Sequence, residues 1–362
     1  MKTHKKTLFF FLSILIMCQT SLAESLSYKF EKNIFYRANE RDKNDADTLI
    51  ESKCGLDIYF PENQHGSTTV IYLHGGGLTL GDKSEIPSNF YNKRIIVVTP
   101  NYRLSPNSRC PAYIEDCAAA IAWTYNNINK YGGDKSKIIL SGGSAGAYLA
   151  TMVFLDKHYL SKYNIDPDSL AGLFSFSGQM TTHFTICNER GLPEGSDTKI
   201  IDEFAPLYHI RKTIRPMYFF IGDSVLDMPG RYVQNKLIVQ KLKEQGNDKV
   251  YFRELKNTDH STMTNPSMDS ASIIIQKIIS SIDTNKIRKI TLSPNPVRHG
   301  YFKIESDDDV INLNIFNDNG RLTKSVSNVS NKTIDVHELK KGFYIVAAKT
   351  KTIKFRQKIL IL

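Results

Sequence analysis

The chain has 362 residues, 41% of them hydrophobic, and a formal net charge of +10; this fits one medium-sized enzyme domain plus a small module, and excludes a disordered chain or a membrane array. The charge suggests a nucleic-acid binder until it is located: Lys and Arg number 30 between Glu24 and Lys286, and so do Asp and Glu. The excess lies before residue 24 and from Ile287 onward, so the balanced centre offers no electrostatic footprint for nucleic acid.

Residues 1–23 read as a secretory leader, with Lys2, Lys5 and Lys6 ahead of the apolar run Leu8–Met17 and small residues for cleavage at Ser21-Leu22-Ala23. The run is shorter than the roughly 20 residues of a membrane span, which disfavours a signal anchor. Met17 is larger than the residue that normally precedes a lipidated cysteine, which disfavours a lipobox at Cys18. No later segment reads as transmembrane. Once the leader is removed, Cys54, Cys110, Cys117 and Cys187 remain. In an oxidising compartment they allow three pairings, and four buried free thiols are the alternative.

From about Cys54 to Ser281, short β-branched runs alternate with longer helical patterns, which predicts an α/β domain: a mainly parallel sheet with helices on both faces. Candidate strands are Thr69–Leu73, Arg94–Thr99, Lys137–Leu140, Leu170–Phe176, Met217–Ile221 and Lys249–Leu255. Candidate helices are Pro111–Ile128, Ala145–Leu155, Tyr232–Gln245 and Met268–Ser281.

Two glycine-rich motifs sit at strand ends. His74-Gly75-Gly76-Gly77 follows the first strand, where main-chain N–H groups could stabilise the oxyanion of an acyl-transfer intermediate. His74 reads as a brace for that loop rather than a second base. Gly142-Gly143-Ser144-Ala145-Gly146 joins the Lys137–Leu140 strand to a helix, and a strained strand-to-helix turn of small residues holds a serine Oγ clear of the sheet. Ser144 is the candidate nucleophile. In the chain order Ser, Asp/Glu, His, the base belongs after the last strand, where His260 stands; His158, His183 and His209 lack that order. The acid is Asp227 or Asp223, each also able to cap a turn, with Asp227 preferred. Asp259 would have to reach the ring of its own neighbour.

Over roughly Leu56 to Ile282 the chain resembles the hormone-sensitive-lipase and feruloyl-esterase-like branch of the α/β-hydrolases. Further matches are Gly81-Asp82-Lys83, Asn101-Tyr102-Arg103-Leu104-Ser105-Pro106, Pro111 with Glu115-Asp116, and Tyr131-Gly132-Gly133-Asp134. The resemblance implies that Gly76, Gly77 and Ala145 supply the oxyanion donors. The pattern departs at the acid: the family's usual position after Gly222 is Val225 here, and Asp227 in Asp-Met-Pro resembles the family segment shifted by a short insertion. Taken with export, the resemblance implies acetyl or feruloyl esters of plant polysaccharide. An arylformamidase or other amide hydrolase stays open, because fold and motifs are shared among these activities. A non-catalytic surface binding protein on the same fold also stays open, although such chains commonly lose the serine or histidine. Gln179–Arg211 is expected to shape the substrate cavity, with Phe184 and Phe204 as lining or as core anchors. No metal-ligand spacing and no nucleotide-binding glycine loop appears, so no cofactor and no metal are expected.

After Asp283 the texture changes to short alternating stretches, with Asn319-Gly320 as a turn, which predicts a small β-sandwich over 286–362 beside a catalytic domain over 24–285. Thr291-Leu-Ser-Pro-Asn-Pro-Val, Asn319-Gly-Arg and Leu339-Lys-Lys-Gly-Phe-Tyr-Ile-Val together resemble the C-terminal sorting domain of type IX secretion cargo in Bacteroidetes. That implies passage through the periplasm to the cell surface or beyond. An Ig-like accessory or carbohydrate-binding sandwich is the alternative.

Overall fold

A computed structural model describes residues 27–37, 48–91, 93–192, 200–285, 290–306, 310–327, 329, 333–350 and 354–362. The expected leader lies outside the described residues. The chain divides into two compact units at Gln276/Lys277.

The first unit is built on an eight-stranded sheet: β1 (Tyr28–Phe35), β2 (Gly55–Pro61), β3 (Ser67–Leu73), β4 (Ile95–Pro100), β5 (Gly133–Gly143), β6 (Gly172–Phe176), β7 (Met217–Ile221) and β8 (Val250–Glu254), in the order β1-β2-β4-β3-β5-β6-β7-β8. From β4 to β8 all neighbours run parallel, whereas β1 and β2 pair antiparallel at one edge. Every residue of β3, β4, β6 and β7 is buried. Such strands read as unbroken apolar runs because helices cover both faces of a parallel sheet.

The helices are α1 (Thr48–Lys53), α2 (Ala112–Asn127), α3 (Ala145–Leu155), α4 (Lys157–Ser161), α5 (Phe184–Glu189), α6 (Arg231–Glu244) and α7 (Thr264–Asn285). The α3 helix is buried on all sides, which matches its apolar composition all round and fixes the turn before it. The four predicted helices and six predicted strands all form, with ends shifted by a few residues. The strands β1 and β2 were not among the expected ones. Most of β1 is exposed at the sheet edge, so it carries no burial alternation to read. Among the described residues all four cysteines are free thiols, so none of the three pairings forms.

The second unit is all β. One sheet has the order β13-β10-β9 and the other β12-β11-β14-β15, both antiparallel. Their strands are β9 (Ile290–Ser293), β10 (Tyr301–Ser306), β11 (Asn312–Asn317), β12 (Leu322–Ser327), β13 (Thr333–Asp335), β14 (Gly342–Lys349) and β15 (Lys354–Ile361). Alternate residues such as Phe302, Ile304, Leu313, Ile315, Val346 and Ile359 form one core between the sheets. Gly320, at φ 75°, makes the β11–β12 turn. This is the small sandwich the sequence predicts.

Candidate active site

The centre of the site is the turn from β5 into α3. Ser144 adopts φ 52° and ψ −115°, a backbone conformation that costs a non-glycine residue about 1–3 kcal/mol. Packing holds it there. Its N–H donates to the Phe176 carbonyl at 2.8 Å, and its carbonyl accepts the Tyr148 N–H at 3.1 Å. The flanking glycines are steric requirements: a Cβ on Gly146 would lie 2.0 Å from the Leu73 carbonyl oxygen, and one on Gly142 would lie 2.4 Å from the Gly146 backbone.

The loop after β3 lies against this turn, since a Cβ on Gly75 would be 3.2 Å from the Gly143 carbonyl oxygen and 3.5 Å from the Ser144 Cβ. Gly76 and Gly77 have φ of 101° and 63°. Among the described residues their N–H groups donate to no protein acceptor. Ala145 opens α3, where a first-turn N–H has no partner within the helix. Gly75 thus seats the loop that carries two of these free donors against Ser144, and the next residue in the chain, Ala145, supplies the third.

His74 is buried and braces the loop: its Nδ1 lies 2.8 Å from the Gly75 carbonyl oxygen, and its ring stacks on Tyr102 at 4.2 Å. The Tyr102 hydroxyl donates to the His74 carbonyl at 2.8 Å. The remaining sequence motifs support this frame. Lys83 N and Asp82 hold the Asn101 amide at 2.6 and 2.9 Å, and Arg103 makes a two-pronged pair with buried Asp116 at 2.8 and 2.9 Å.

His260 follows β8 and reaches back to the turn. Its Nε2 lies 2.9 Å from Ser144 Oγ and its Nδ1 lies 2.8 Å from Asp227 Oδ1. The Asp227 side chain is 1% exposed. Its carboxylate also accepts the N–H groups of Gly222 at 2.8 Å and Met228 at 2.7 Å. Burial alone would raise the Asp227 carboxyl, but the hydrogen bonds from His260, Gly222 and Met228 outweigh it and hold the group below the usual carboxylate value. With Asp227 accepting from Nδ1–H, Nε2 is left unprotonated and faces the serine hydroxyl.

Asp223 is not brought to the histidine. Its carboxylate accepts the N–H groups of Val225 at 3.0 Å and Asn257 at 3.1 Å and so ties two loops together. Asp259 caps the turn before α7, accepting from Ser261 and Thr262. The histidines His158, His183 and His209 make their contacts elsewhere, with Asp156, Thr185 and the Glu203 carbonyl.

One site residue escaped the sequence reading. Ser177, at φ 49° directly after β6, donates its hydroxyl to Asp227 at 3.0 Å and lies 3.0 Å from His260 Nδ1. A single serine at a strand end has no motif around it; only its place after β6, beside the strand that leads to the acid, could have pointed to it.

The site opens on a cavity of about 430 Å³ whose lining includes Ser144, His260, Phe176, Phe184, Met228 and Arg231. Phe184 also packs on the Gly75–Gly77 loop, where a Cβ on Gly77 would meet its ring at 3.2 Å. Phe204 instead packs on the main core. Among the described residues, no group of three His, Cys, Asp or Glu is placed to hold a metal ion.

Residues 56–183 match the BD-FAE family model. This unit has the α/β-hydrolase fold and is similar to that family over the matched residues. Residues 291–362 match the secretion system C-terminal sorting domain. The BD-FAE match contains Gly76, Gly77, Ser144 and Ala145 but ends before Asp227 and His260, so those two rest on geometry alone.

Curated relatives of the hydrolase unit are similar over part of their length. The probable isoprenylcysteine alpha-carbonyl methylesterase ICMEL1 of Arabidopsis thaliana is 27% identical over 189 residues, 51% of this chain and 36% of that protein. Esterase LipI of Mycobacterium tuberculosis is 34% identical over 106 residues, 27% of this chain and 33% of that protein. The chain thus spans about a third of the length of these relatives.

Among solved structures, a truncated carbohydrate esterase from gut microbiota superposes with a TM-score of 0.54 at 18% identity, over 71% of this chain and 98% of that one. A Pyrobaculum calidifontis esterase gives 0.54 at 17% identity, over 69% and 85%. At such identities these neighbours speak for the α/β-hydrolase fold.

Proposed function

We propose that the protein is an exported serine carboxylesterase in which Ser144 is the nucleophile, His260 the general base and acid, and Asp227 the carboxylate that orients the ring. The observation that carries this reading is the continuous relay at the strained turn: Ser144 Oγ to His260 Nε2 at 2.9 Å and Nδ1 to Asp227 at 2.8 Å. His260 takes the hydroxyl proton as Ser144 Oγ attacks the ester carbonyl. The N–H groups of Gly76, Gly77 and Ala145 stabilise the resulting oxyanion, a contribution of about 3 kcal/mol per donor. His260 then protonates the departing alcohol and activates the water that releases the acyl group.

The sorting domain adds export to this reading, with the leader carrying the chain into the periplasm and the tail handing it to the type IX machinery. Acetyl or feruloyl esters of plant polysaccharide are the proposed substrates. The test is hydrolysis of short p-nitrophenyl esters and of acetylated and feruloylated oligosaccharides by the purified full chain beside Ser144→Ala. Turnover that disappears in Ser144→Ala supports the proposal. Undiminished turnover in Ser144→Ala, or preferred cleavage of N-formyl and aryl amides, overturns it. Failure of a folded sample to turn over any ester or to react with a fluorophosphonate overturns it in favour of a binding protein.

A further inference from the structure

Arg231 opens α6 and is 3% exposed. Among the described residues no hydrogen bond or ion pair reaches its side chain, and its Nη1 is fully buried without a partner. Arg231 lines the same cavity as Ser144 and His260.

A guanidinium carries five N–H donors, and leaving a cation buried and unpaired costs far more than burying a matched pair. Burial lowers the group to about 10, opposed by the charge of Asp227, so it stays cationic at neutral pH. Nothing nearby neutralises it directly. The oxygens of Asp227 are occupied by His260, Ser177 and the N–H groups of Gly222 and Met228. His183 is held neutral by burial and by Arg231 itself. Glu85, also on the cavity lining, is exposed and makes no ion pair with Arg231. Arg231 thus brings to the cavity lining a guanidinium, the group that grips a carboxylate through two parallel hydrogen bonds.

We infer that Arg231 forms a carboxylate-binding subsite of the Ser144 cavity, and that the preferred ester carries a carboxylate on its acyl or its alcohol half. The inference rests on the esterase reading above and narrows its substrate class. A cavity of about 430 Å³ lies within the range of small-ligand sites, so the carboxylate and the scissile bond belong to one compact unit. That unit is either a half-ester of a short dicarboxylic acid or an acylated uronate sugar.

The experiment compares the full chain with Arg231→Gln on two matched pairs. Monoethyl glutarate against ethyl valerate places the carboxylate on the acyl half, and acetylated oligogalacturonide against acetylated xylo-oligosaccharide places it on the alcohol half. In at least one pair, kcat/KM for the anionic substrate exceeds that for its neutral partner by about 10- to 100-fold, the factor a charge-assisted hydrogen-bonded pair contributes. Arg231→Gln brings that ratio to near unity. Glutarate inhibits cleavage of ethyl valerate competitively in the unmodified chain, whereas glutaramide does not.

Neutral preference in both pairs overturns the inference, as does an unchanged ratio in Arg231→Gln or equal inhibition by glutarate and glutaramide. If Arg231→Gln fails to fold, the ratio and the inhibition in the unmodified chain decide alone. Ser144-dependent hydrolysis of ethyl valerate keeps the two levels apart: its presence with no anionic preference removes the subsite and leaves the esterase, while its absence removes both.

Discussion

Asp227→Asn isolates the contribution of the acid. The carboxylate is 1% exposed and accepts His260 Nδ1 at 2.8 Å and two backbone N–H groups at 2.8 and 2.7 Å. Asparagine keeps the shape but has one acceptor oxygen where the carboxylate has two, so at least one of these donors meets an amide N–H. If the oxygen stays with the Gly222 N–H, the amide NH2 takes the other place, and the ring, together with the Met228 N–H, loses its acceptor, the one that keeps the ring proton on Nδ1. The proton then moves to Nε2, which can no longer take the proton of Ser144. The expected loss in kcat is about 10⁴-fold, as for removal of the acid's charge in other serine triads, equivalent to about 5 kcal/mol at 1.36 kcal/mol per factor of ten.

Asp223→Asn is the matched control. Its carboxylate accepts from Val225 and Asn257 and touches no ring atom of His260, so kcat changes by about threefold at most, as for a local surface contact. Both variants are assayed on p-nitrophenyl acetate with active sites counted by fluorophosphonate titration. A disabled Asp223→Asn, or an Asp227→Asn that keeps more than about a tenth of kcat, would refute the assignment, because a wrong tautomer costs several factors of ten.

Three further outcomes follow from the geometry. Ser177→Ala removes a hydroxyl that donates to Asp227 at 3.0 Å; kcat falls about tenfold, the worth of one buried hydrogen bond, with KM unchanged in steady-state kinetics, whereas general destabilisation would reduce the count of active sites instead. Gly146→Ala drives a Cβ to 2.0 Å from the Leu73 carbonyl oxygen, and chemical denaturation registers a loss of about 3 kcal/mol or more from overpacking against backbone. Asp82 is opposed by desolvation, but its bonds with the Asn101 amide and Ser84 lower its carboxyl to about 2. A depressed folded-state value means the stabilisation is complete above the ordinary carboxylate value and lost as pH falls through about 2, so the gap in melting temperature between the full chain and Asp82→Asn is widest at neutral pH and closes across that acid window.

The legible parts of the site were those whose chemistry forbids other residues. Gly142 and Gly146 are demanded by backbone contacts of 2.4 and 2.0 Å, so the turn announces itself in five letters. The buried strands β3, β4, β6 and β7 were legible because burial on both faces leaves only apolar residues. The acid was ambiguous because two aspartates four residues apart both follow β7, and only the course of the loop decides which one meets the ring. Arg231 escaped the sequence reading, since sequence carries no sign that a guanidinium lacks a partner. The exposed edge strand β1 left no periodic trace for the same reason that it is exposed: solvent accepts almost any side chain there.

The proposed base depends on an edge strand of the sheet. The serine turn follows β5, which is flanked by β3 and β6, but His260 follows β8, which among the described residues pairs with β7 alone. Fraying begins where few contacts hold the backbone, and a single ladder is all that ties β8 to the sheet. Peeling that strand withdraws the imidazole and leaves the strained serine seated in its turn. On the proposed mechanism, activity is expected to fall on warming before the interior melts, and to return on cooling for as long as the interior survives.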